Sequence, residues 1–455
     1  MSRPSILNSL ERQFILLVVD MVIILSSLNV LVNHAIDSEF ISLRFKIVVF
    51  GFGVISYLSF SYILEFYRLD RVSKRIYILT QGLYIGVLFV FVIFMFTVLA
   101  YDVSFWRKPL LYFLVLTPIQ IGLWRLFFRD IFQIIPITKN VLYIYDDETS
   151  KNFKEDTGKI DGEEKKTFYK VKLTYSLDQN KSLNKKLFLL ATDKIDAWIL
   201  NIKSYDGLPP DIKNLMLQSI LRGKEVISYT TFYESTYEAL PLRSNNDSFY
   251  EILQLRNKKI RYLRTIFSFG VNFVLSFFVG FLFILVTPFV WFLNLFFNRG
   301  PLLYTQKRVG LHGKEFKIYK FRSMVVDAEK SGAAMASKND SRITPFGKIL
   351  RVFRIDELPQ IISVIKGDMQ FIGPRPERKV FVKELNKLTP FYNARHLIRP
   401  GITGWAQVKF KYGQNLDDSI QKLEYDLYYI KNKSITLDLR IIFKTVTTVL
   451  FSRGI

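Results

Sequence analysis

Four long apolar stretches occupy the first third of this 455-residue chain and constrain its fold more than any other feature. They run from Phe14 to Ala35, Ile47 to Leu64, Ile78 to Ala100 and Leu110 to Ile131. Each is close to the ~20 residues that a membrane-spanning helix requires. A signal peptide would be one short apolar region before a cleavage site, which four stretches do not resemble. The sequence therefore predicts a four-helix transmembrane region over residues 1–137.

The charge distribution predicts how this region is oriented. Arg68, Arg71, Lys74 and Arg75 follow the second stretch, and such strongly basic connections stay on the cytoplasmic side. Four crossings then leave both ends of the region in the cytoplasm. The chain has 63 Lys and Arg against 40 Asp and Glu, and +15 of its net +23 lies from Arg299 onward. A basic soluble part beside apolar segments indicates anionic lipid surfaces or phosphorylated substrates.

The composition also excludes several classes of site. The chain has no cysteine and only three histidines, which are far apart in the sequence. Disulfides, thiolate nucleophiles and Cys- or His-rich metal centres are therefore excluded, whereas a hard cation on carboxylates and phosphates is compatible. Zinc-finger spacing and a basic-region heptad pattern are both missing, so nucleic acid is not an expected partner.

Residues 138–260 are polar and alternate between strand and helix patterns. "NVLYIYDD" indicates a first strand, "KLFLLATDKIDAWILNI" contains one or two more, and "PPDIKNLMLQSILRGKEVISYT" reads as helix, glycine cap and strand. This pattern predicts a cytoplasmic α/β domain of degenerate Rossmann-like type. A dinucleotide site needs G-x-G-x-x-G after the first strand, but the chain there is Tyr145-Asp146-Asp147-Glu148. A structural or regulatory role is favoured over a nucleotide site.

A fifth apolar stretch, Ile266–Phe297, has 32 residues without a charge and is interrupted by Thr287-Pro288. Proline removes a helix hydrogen bond and clashes with the preceding turn, so a bend is expected there. An ordinary span would place the basic last third outside, away from activated substrates of the cytoplasm. We therefore predict a re-entrant helix that leaves on the side it entered, with a fifth ordinary span as the alternative.

Two cations lie on one face of a predicted hairpin. "LLYTQKRVGLHGKEFKIYKFRSM" predicts two strands joined by a turn at residues 311–314. By the period of two, Lys320 and Arg322 share a face with Phe316 and Ile318. Cations on such a face are costly unless an anion lies there. This pattern favours an anion site over the alternative, a solvated strand end.

The stretch "RIDELPQIISVIKGDMQFIGPRPE" contains an acid pair, Asp356 and Glu357. Pro359 suits the first turn of a helix, so the pair is expected at or just before a helix N-terminus, where the dipole favours ionised carboxylates. An ionised Asp can attack phosphorus while its neighbour holds a divalent cation. The alternative is a pair that only caps the helix.

The same stretch ends in an arginine between two prolines. Pro376 excludes the α region for Arg375, so its guanidinium is held by a stiff backbone and suits phosphate oxygens. A later segment, "RPGITGWAQV", adds a Pro-Gly turn and brings Trp405 close to Gln407.

These motifs, with "SRITPFGKILR" and "YDLYYIKNKSITLDL" and in this order, resemble the bacterial sugar transferase family, the polyprenyl-phosphate hexose-1-phosphate transferases. The resemblance spans residues 264–455. The four predicted spans and the α/β domain are also similar to the long members of the family. The resemblance implies a small α/β membrane-associated catalytic domain over residues 261–455, which includes the re-entrant helix.

The resemblance further implies a reaction and its site. Family members move a sugar-1-phosphate from a UDP-sugar onto undecaprenyl phosphate, releasing UMP and starting surface or exopolysaccharide synthesis. Asp356 matches the family's catalytic nucleophile and Glu357 its acidic partner, and both are expected to hold Mg²⁺. The expected substrate-binding residues, partly from the family and partly from the patterns above, are Arg308, Lys320, Arg322, Arg351, Arg375 and Gln407.

The chain departs from the family at three places, one of which is the lack, near Phe267–Val271, of an acidic residue that the family often has, and it leaves one other class of function open. Thr287 stands where Ser is common, and Lys409-Phe410-Lys411 replaces a frequent Asn-Gly. The other class is a non-catalytic membrane scaffold of polysaccharide export, which would have no need of the acid pair. We expect a multi-pass protein of the bacterial inner membrane that contacts membrane lipids, faces the cytoplasm with its catalytic domain and, by family likeness, forms a homodimer.

Overall fold

The computed structural model falls into two compact units, Met1–Tyr229 and Thr230–Ile455. The predicted division at residues 137 and 260 remains a prediction. The structure describes residues 9–35, 43–64, 66–67, 75–100, 107–133, 139–146, 169–177, 195–202, 208–242, 253, 261–298, 300–326, 328, 340–410 and 416–450.

The first unit begins with helices at the four predicted apolar stretches. In the part of the chain that the structure describes, the long apolar segments Gln13–Val30, Lys46–Ile63 and Arg264–Phe297 could cross a membrane, and a shorter apolar helix covers Gly82–Phe96. The coarse prediction of a helical membrane protein is therefore confirmed. The four N-terminal helices are α1 (Ser9–Ala35), α2 (Leu43–Ile63), α3 (Arg75–Ala100) and α4 (Arg107–Gln133).

A buried ion pair joins the first and fourth helices. Arg125 of α4 contacts the carboxylate of Asp20 of α1, and both side chains are 0% exposed. The Tyr57 hydroxyl of α2 donates to the same Asp20 oxygen at 3.0 Å, and Arg125 donates to the carbonyl of Phe66 at 3.1 Å. Ionisable groups inside apolar helices are costly unless they find partners, so this network specifies how three helices meet.

A four-stranded parallel sheet follows, in the order β2-β1-β3-β4. Helix α5 (Pro210–Leu221) is followed by Arg222 and then Gly223, whose φ of +78° suits the predicted glycine cap. Leu142, Trp198 and Ile212 are fully buried in its core. The parallel α/β sheet is thus confirmed. Its strands are β1 (Lys139–Tyr145), β2 (Tyr169–Ser176), β3 (Ala197–Asn201) and β4 (Glu225–Ser228).

The long helix α7 (Arg261–Phe297) has two unlike faces and remains helical on both sides of Pro288. One face packs on the core of the second unit, and these residues lie on both sides of the proline. The opposite face is exposed and apolar. The packed residues are Val271, Leu275, Val279, Phe283, Val286 and Val290, and the exposed ones include Phe269, Phe273, Phe277, Ile284, Phe289 and Phe296.

The predicted hairpin is present in the second unit. Strands β5 (Leu303–Val309) and β6 (Glu315–Phe321) pair antiparallel through a 3₁₀ turn at Leu311–Gly313. His312 and Gly313 in this turn have φ of +54° and +76°, which reverses the chain tightly.

The other elements of this unit surround the hairpin, and two of them, β7 and β8, pair in parallel. The unit starts at Thr230, so most of helix α6 belongs to it. In chain order the remaining elements are α6 (Tyr229–Tyr237), α8 (Pro345–Val352), a 3₁₀ helix (Ile355–Gln360), α9 (Ile361–Ile365), β7 (Gln370–Ile372), α10 (Lys379–Leu388), a second 3₁₀ helix (Pro390–Leu397), β8 (Gly401–Thr403), α11 (Trp405–Lys409), α12 (Leu416–Asn432) and α13 (Ile435–Leu450).

Candidate active site

The acid pair lies in the first turn of the 3₁₀ helix Ile355–Gln360. The chain enters this helix through Arg354, which has a left-handed φ of +55°. The expected α-helix N-terminus is one element further along, because α9 begins only at Ile361 and Pro359 lies inside the 3₁₀ helix. The prediction of a helix start with Pro359 in its first turn is therefore corrected: the turn is 3₁₀.

Glu357 is held by cations from three parts of the chain. Its Oε1 accepts from Lys320 Nζ at 3.1 Å, is bonded by Arg375, and lies 3.9 Å from Arg354 Nη1. Burial would raise the pKa of this carboxyl, but the charges of Arg375 and Lys320 outweigh it and hold the pKa well below its ordinary value. Glu357 is therefore an ionised carboxylate that gathers three cations.

Asp356 has a different environment although it is the next residue. It is 5% exposed, and its carboxylate makes no hydrogen bond or ion pair with the residues that the structure describes. Burial raises its pKa; the charge of Lys320 opposes the rise and that of Glu357 adds to it. The expected dipole stabilisation of an ionised Asp356 is thus outweighed, because this carboxyl is buried beside another negative charge.

The loop of Arg375 is bonded to the segment that carries Gln407. Arg375 Nη1 and Gln407 Nε2 donate to the same carbonyl, that of Ile402, at 3.4 and 3.1 Å. Behind them Gly373 N donates to Thr403 O at 2.8 Å. The two motifs "GPRPE" and "RPGITGWAQV" therefore form one surface. The Oε1 atom of Gln407 is buried without a partner among the described residues.

The other predicted binding residues are placed differently. Arg351 donates to Ser323 Oγ at 2.9 Å, and its charge acts on the carboxyl of Asp356. Arg308 pairs with Glu377 at 3.1 Å, next to the proline loop. Arg322 is not brought to the acid pair: its Nε donates to the carbonyl of Pro301 at 3.0 Å, because it follows the last residue of β6.

Two contributors were missed by the sequence patterns. Arg354 contacts Glu357, which is three residues later in the chain. Opposite charges at this spacing often pair, so the sequence could have indicated this contact. Arg395 is 7% exposed, donates to Arg375 O at 2.8 Å and pairs with Asp426 at 2.7 Å. Its partners are distant in sequence, so no local pattern could identify its role in holding the Arg375 loop.

The donor set fits one kind of metal site. No group of three His, Cys, Asp or Glu side chains that could hold a metal occurs among the residues that the structure describes. Mg²⁺ characteristically uses one or two carboxylates and completes its shell with water and substrate phosphates. Asp356 and Glu357 supply such a pair, so they fit Mg²⁺ shared with a phosphorylated substrate rather than a site built by protein alone.

Known proteins are similar to the part of the chain that contains these residues. The profile of the family described as "Bacterial sugar transferase" matches residues 263–452, which include every site residue above. The chain is 51% identical over 155 residues to the UDP-N-acetylgalactosamine-undecaprenyl-phosphate N-acetylgalactosaminephosphotransferase of Aeromonas hydrophila. It is 40% identical over 149 residues to the UDP-glucose:undecaprenyl-phosphate glucose-1-phosphate transferase of Escherichia coli (strain K12).

These matches differ in how much of each relative they cover. They span 34% and 32% of this chain and only 37% and 32% of those two relatives. The exopolysaccharide production protein PSS of Rhizobium leguminosarum bv. phaseoli is 41% identical over 180 residues, which cover 38% of this chain and 90% of that relative. Since nearly all of that smaller protein is matched, the chain belongs to the bacterial sugar transferase family.

Proposed function

We propose that this protein is an undecaprenyl-phosphate sugar phosphotransferase. It transfers a sugar-1-phosphate from a UDP-sugar to undecaprenyl phosphate and forms undecaprenyl-diphosphate sugar and UMP. This is the first step in the synthesis of a surface polysaccharide or an exopolysaccharide. The observation that carries the proposal is the contrast within the acid pair, where Glu357 gathers cations and Asp356 is buried with its carboxylate unpaired among the described residues. The printed activities of the Aeromonas and Escherichia relatives support the same reaction.

In the first half of the reaction, Asp356 attacks the sugar-bearing phosphorus of the UDP-sugar. A bond forms between a carboxylate oxygen and that phosphorus, and the bond to the bridging oxygen breaks. UMP leaves with the electron pair, and the sugar-phosphate stays on Asp356 as an acyl phosphate. Lys320 and Arg375, which meet at Glu357, are positioned to neutralise the phosphate charge that otherwise repels an anionic nucleophile.

In the second half, an oxygen of undecaprenyl phosphate attacks the same phosphorus. The new diphosphate bond forms as the bond to Asp356 breaks, and the carboxylate is regenerated. Because each substrate visits the site in turn, the water-soluble donor and the membrane-bound acceptor need not be aligned together. A non-catalytic scaffold would not require a buried, unpaired carboxylate beside three cations.

Magnesium is part of the proposal. Asp356 and Glu357 would hold it, and when bound it would neutralise charge on the diphosphate. The chain's own contribution is to keep Lys320, Arg354 and Arg375 around Glu357 and to bury Asp356 beside them.

We also propose that α7 is re-entrant and that the catalytic unit faces the cytoplasm of the inner membrane. A helix of 37 residues is about 55 Å long, whereas the hydrocarbon core is only about 30 Å thick. Its packed face contacts the apolar core of the rest of the second unit on both sides of Pro288, from Val271 to Val290, and Asn298 donates to the Arg322 carbonyl at 2.6 Å. Contact along this length is hard to reconcile with a simple crossing. The homodimer implied by family likeness remains a prediction.

The deciding experiment uses the purified full chain with a panel of UDP-sugars and no lipid acceptor. We expect one round of UMP release with one sugar and a sugar-phosphate adduct on Asp356, both abolished by Asp356→Asn. The control is Asp368→Asn, which changes a carboxylate of the same motif outside the site. Absence of UMP release with every sugar, with and without undecaprenyl phosphate, would favour the scaffold.

A further inference from the structure

Residues 230–242, here called the docking segment, are bound to the second unit by several polar contacts. Glu234 pairs with Lys431 at 2.6 Å, and Tyr233 donates to Glu424 at 2.9 Å. The backbone amide of Leu240 donates to the Glu424 carbonyl at 3.0 Å. This segment follows the α/β sheet in the chain and precedes the region that matches the family, so its contacts are an addition to the family domain.

Glu238 is the residue of this segment with the most unusual environment. It is 4% exposed, its Oε2 pairs with Lys409, and its Oε1 lies 3.4 Å from Arg440. Its backbone has a φ of +56°, which is uncommon for a residue other than glycine. In this conformation its carbonyl accepts the indole N–H of Trp405 at 3.0 Å. One residue thus binds both ends of helix α11.

Helix α11 continues directly from the strand that supports the site. Gly401 N donates to Pro374 O at 2.9 Å. A Cβ on Gly404 would lie 2.2 Å from the carbonyl oxygen of Gly373, so the two backbones are in direct contact. A displacement of α11 must therefore move the loop of Arg375 as well.

We propose that Glu238 is a positioning residue for the substrate site. By fixing Lys409 and Trp405 it holds residues 401–409, and through the Ile402 carbonyl it aims the Arg375 guanidinium and the Gln407 amide. The kinetic part of this proposal rests on the function proposed above. It also explains the departure at Lys409, since this lysine has its partner in the docking segment.

The kinetic test compares Glu238→Gln with Glu234→Gln in the full chain. Both substitutions remove an ion pair of the docking segment, but Lys431, the partner of Glu234, lies on α12 and not in residues 401–409. We expect Glu238→Gln to raise the KM for the UDP-sugar about tenfold with kcat changed less than about twofold, because Asp356 is held by other elements. Glu234→Gln should leave both constants unchanged. A loss of folded protein would instead lower apparent kcat at constant KM and would overturn the proposal.

A second measurement needs no substrate. Hydrogen exchange should become faster at the amides of Gly373 and Gly401 in Glu238→Gln and stay unchanged in Glu234→Gln. Lys409→Gln should reproduce the effect, and the double variant Glu238→Gln/Lys409→Gln should be no worse than either single one. Unchanged exchange in Glu238→Gln would refute the positioning role even if UMP release is normal. If exchange is faster in Glu238→Gln but the wild type releases no UMP, the positioning role of Glu238 is retained and the proposed reaction is rejected.

Discussion

Arg375 and Glu357 form an ion pair between the proline loop and the 3₁₀ helix, and Lys320 of the hairpin bonds to the same carboxylate oxygen. Three elements that are separate in the sequence thus meet at one atom. A change at Arg375 therefore affects both substrate binding and the geometry of the acid pair, which makes it an informative position for substitution.

Arg375→Lys keeps the charge but loses the planar fork that reaches Glu357 and the Ile402 carbonyl together. We expect kcat/KM for UMP release to fall by about 10- to 100-fold. Steady-state kinetics of the full chain measure this effect. Arg378→Lys makes the same exchange outside the acid pair and should resemble the wild type. Equal activity of the two variants would contradict the role of the fork.

Asp356→Asn should abolish turnover without lowering stability. The carboxyl has a raised pKa because it is buried, so ionised Asp356 opposes folding at neutral pH and a neutral amide does not. We expect the Tm of the variant to equal or exceed that of the wild type. Thermal unfolding in detergent at pH 7 tests this. A Tm that falls by several degrees would mean that Asp356 has a stabilising partner.

We expect His396 to make the folded protein less stable in mild acid. Burial, with the charge of Arg395, lowers its pKa to about 4, whereas an unfolded histidine has a pKa of about 6.5. The unfolded chain therefore binds the extra proton between these values, and stability falls as pH decreases from about 6.5 to about 4. The contribution is about 3 kcal/mol.

Replacing His396 with Phe should flatten the pH dependence of unfolding in this window. Denaturant unfolding at several pH values, followed by tryptophan fluorescence, measures the difference. A variant with the same pH dependence as the wild type would show that His396 is not the responsible group.

The ion pair of Asp20 and Arg125 should be essential to the helical bundle. Asp20→Asn leaves Arg125 charged and buried, so we expect a loss of about 3–5 kcal/mol. Asp130→Asn is the matched control, because Asp130 is 57% exposed and should change stability by no more than about 0.5 kcal/mol. Thermal melting in detergent compares the two. The double variant Asp20→Leu/Arg125→Leu should recover much of the loss.

The topology can be tested with single cysteines, since the natural chain has none. Cysteines at Lys213 and Lys314 should react with a membrane-impermeant reagent only from the cytoplasmic side. A cysteine at Ser38, in the predicted outer connection after the first span, should react only from the other side. Labelling of position 314 from the outer side alone would reject the re-entrant helix.

Local patterns predicted most of the elements and part of the site. The period of two placed Lys320 on the face that meets Glu357, and the turn residues identified the hairpin. The same rule did not bring Arg322 to the acid pair, because β6 ends at Phe321 and the Arg322 Nε donates to the carbonyl of Pro301 instead. Strand β2 was not predicted, although its sequence Tyr169-Lys170-Val171-Lys172-Leu173 alternates apolar and polar residues as a strand does.

Contacts between distant residues could not be predicted in this way. The helical period puts Arg440 and Lys444 of α13 on one face, but it does not identify their partners: Arg440 pairs with Glu238, and Lys444 Nζ lies 4.8 Å from the ring centroid of Trp405. The helical period indicates which residues share a face but not what covers that face. The raised pKa of Asp356 likewise depends on burial, which the sequence does not contain.

The three cations around Glu357 have a consequence for turnover in the proposed reaction. A resident carboxylate keeps them in place before any phosphate arrives, so the site need not rearrange to receive one. It also competes with every anion that enters. UMP would thus be held less firmly than by free cations, and its departure clears the way for the lipid phosphate. An enzyme that exchanges one anion for another at a single site gains from such an internal competitor, because it limits inhibition by its own product.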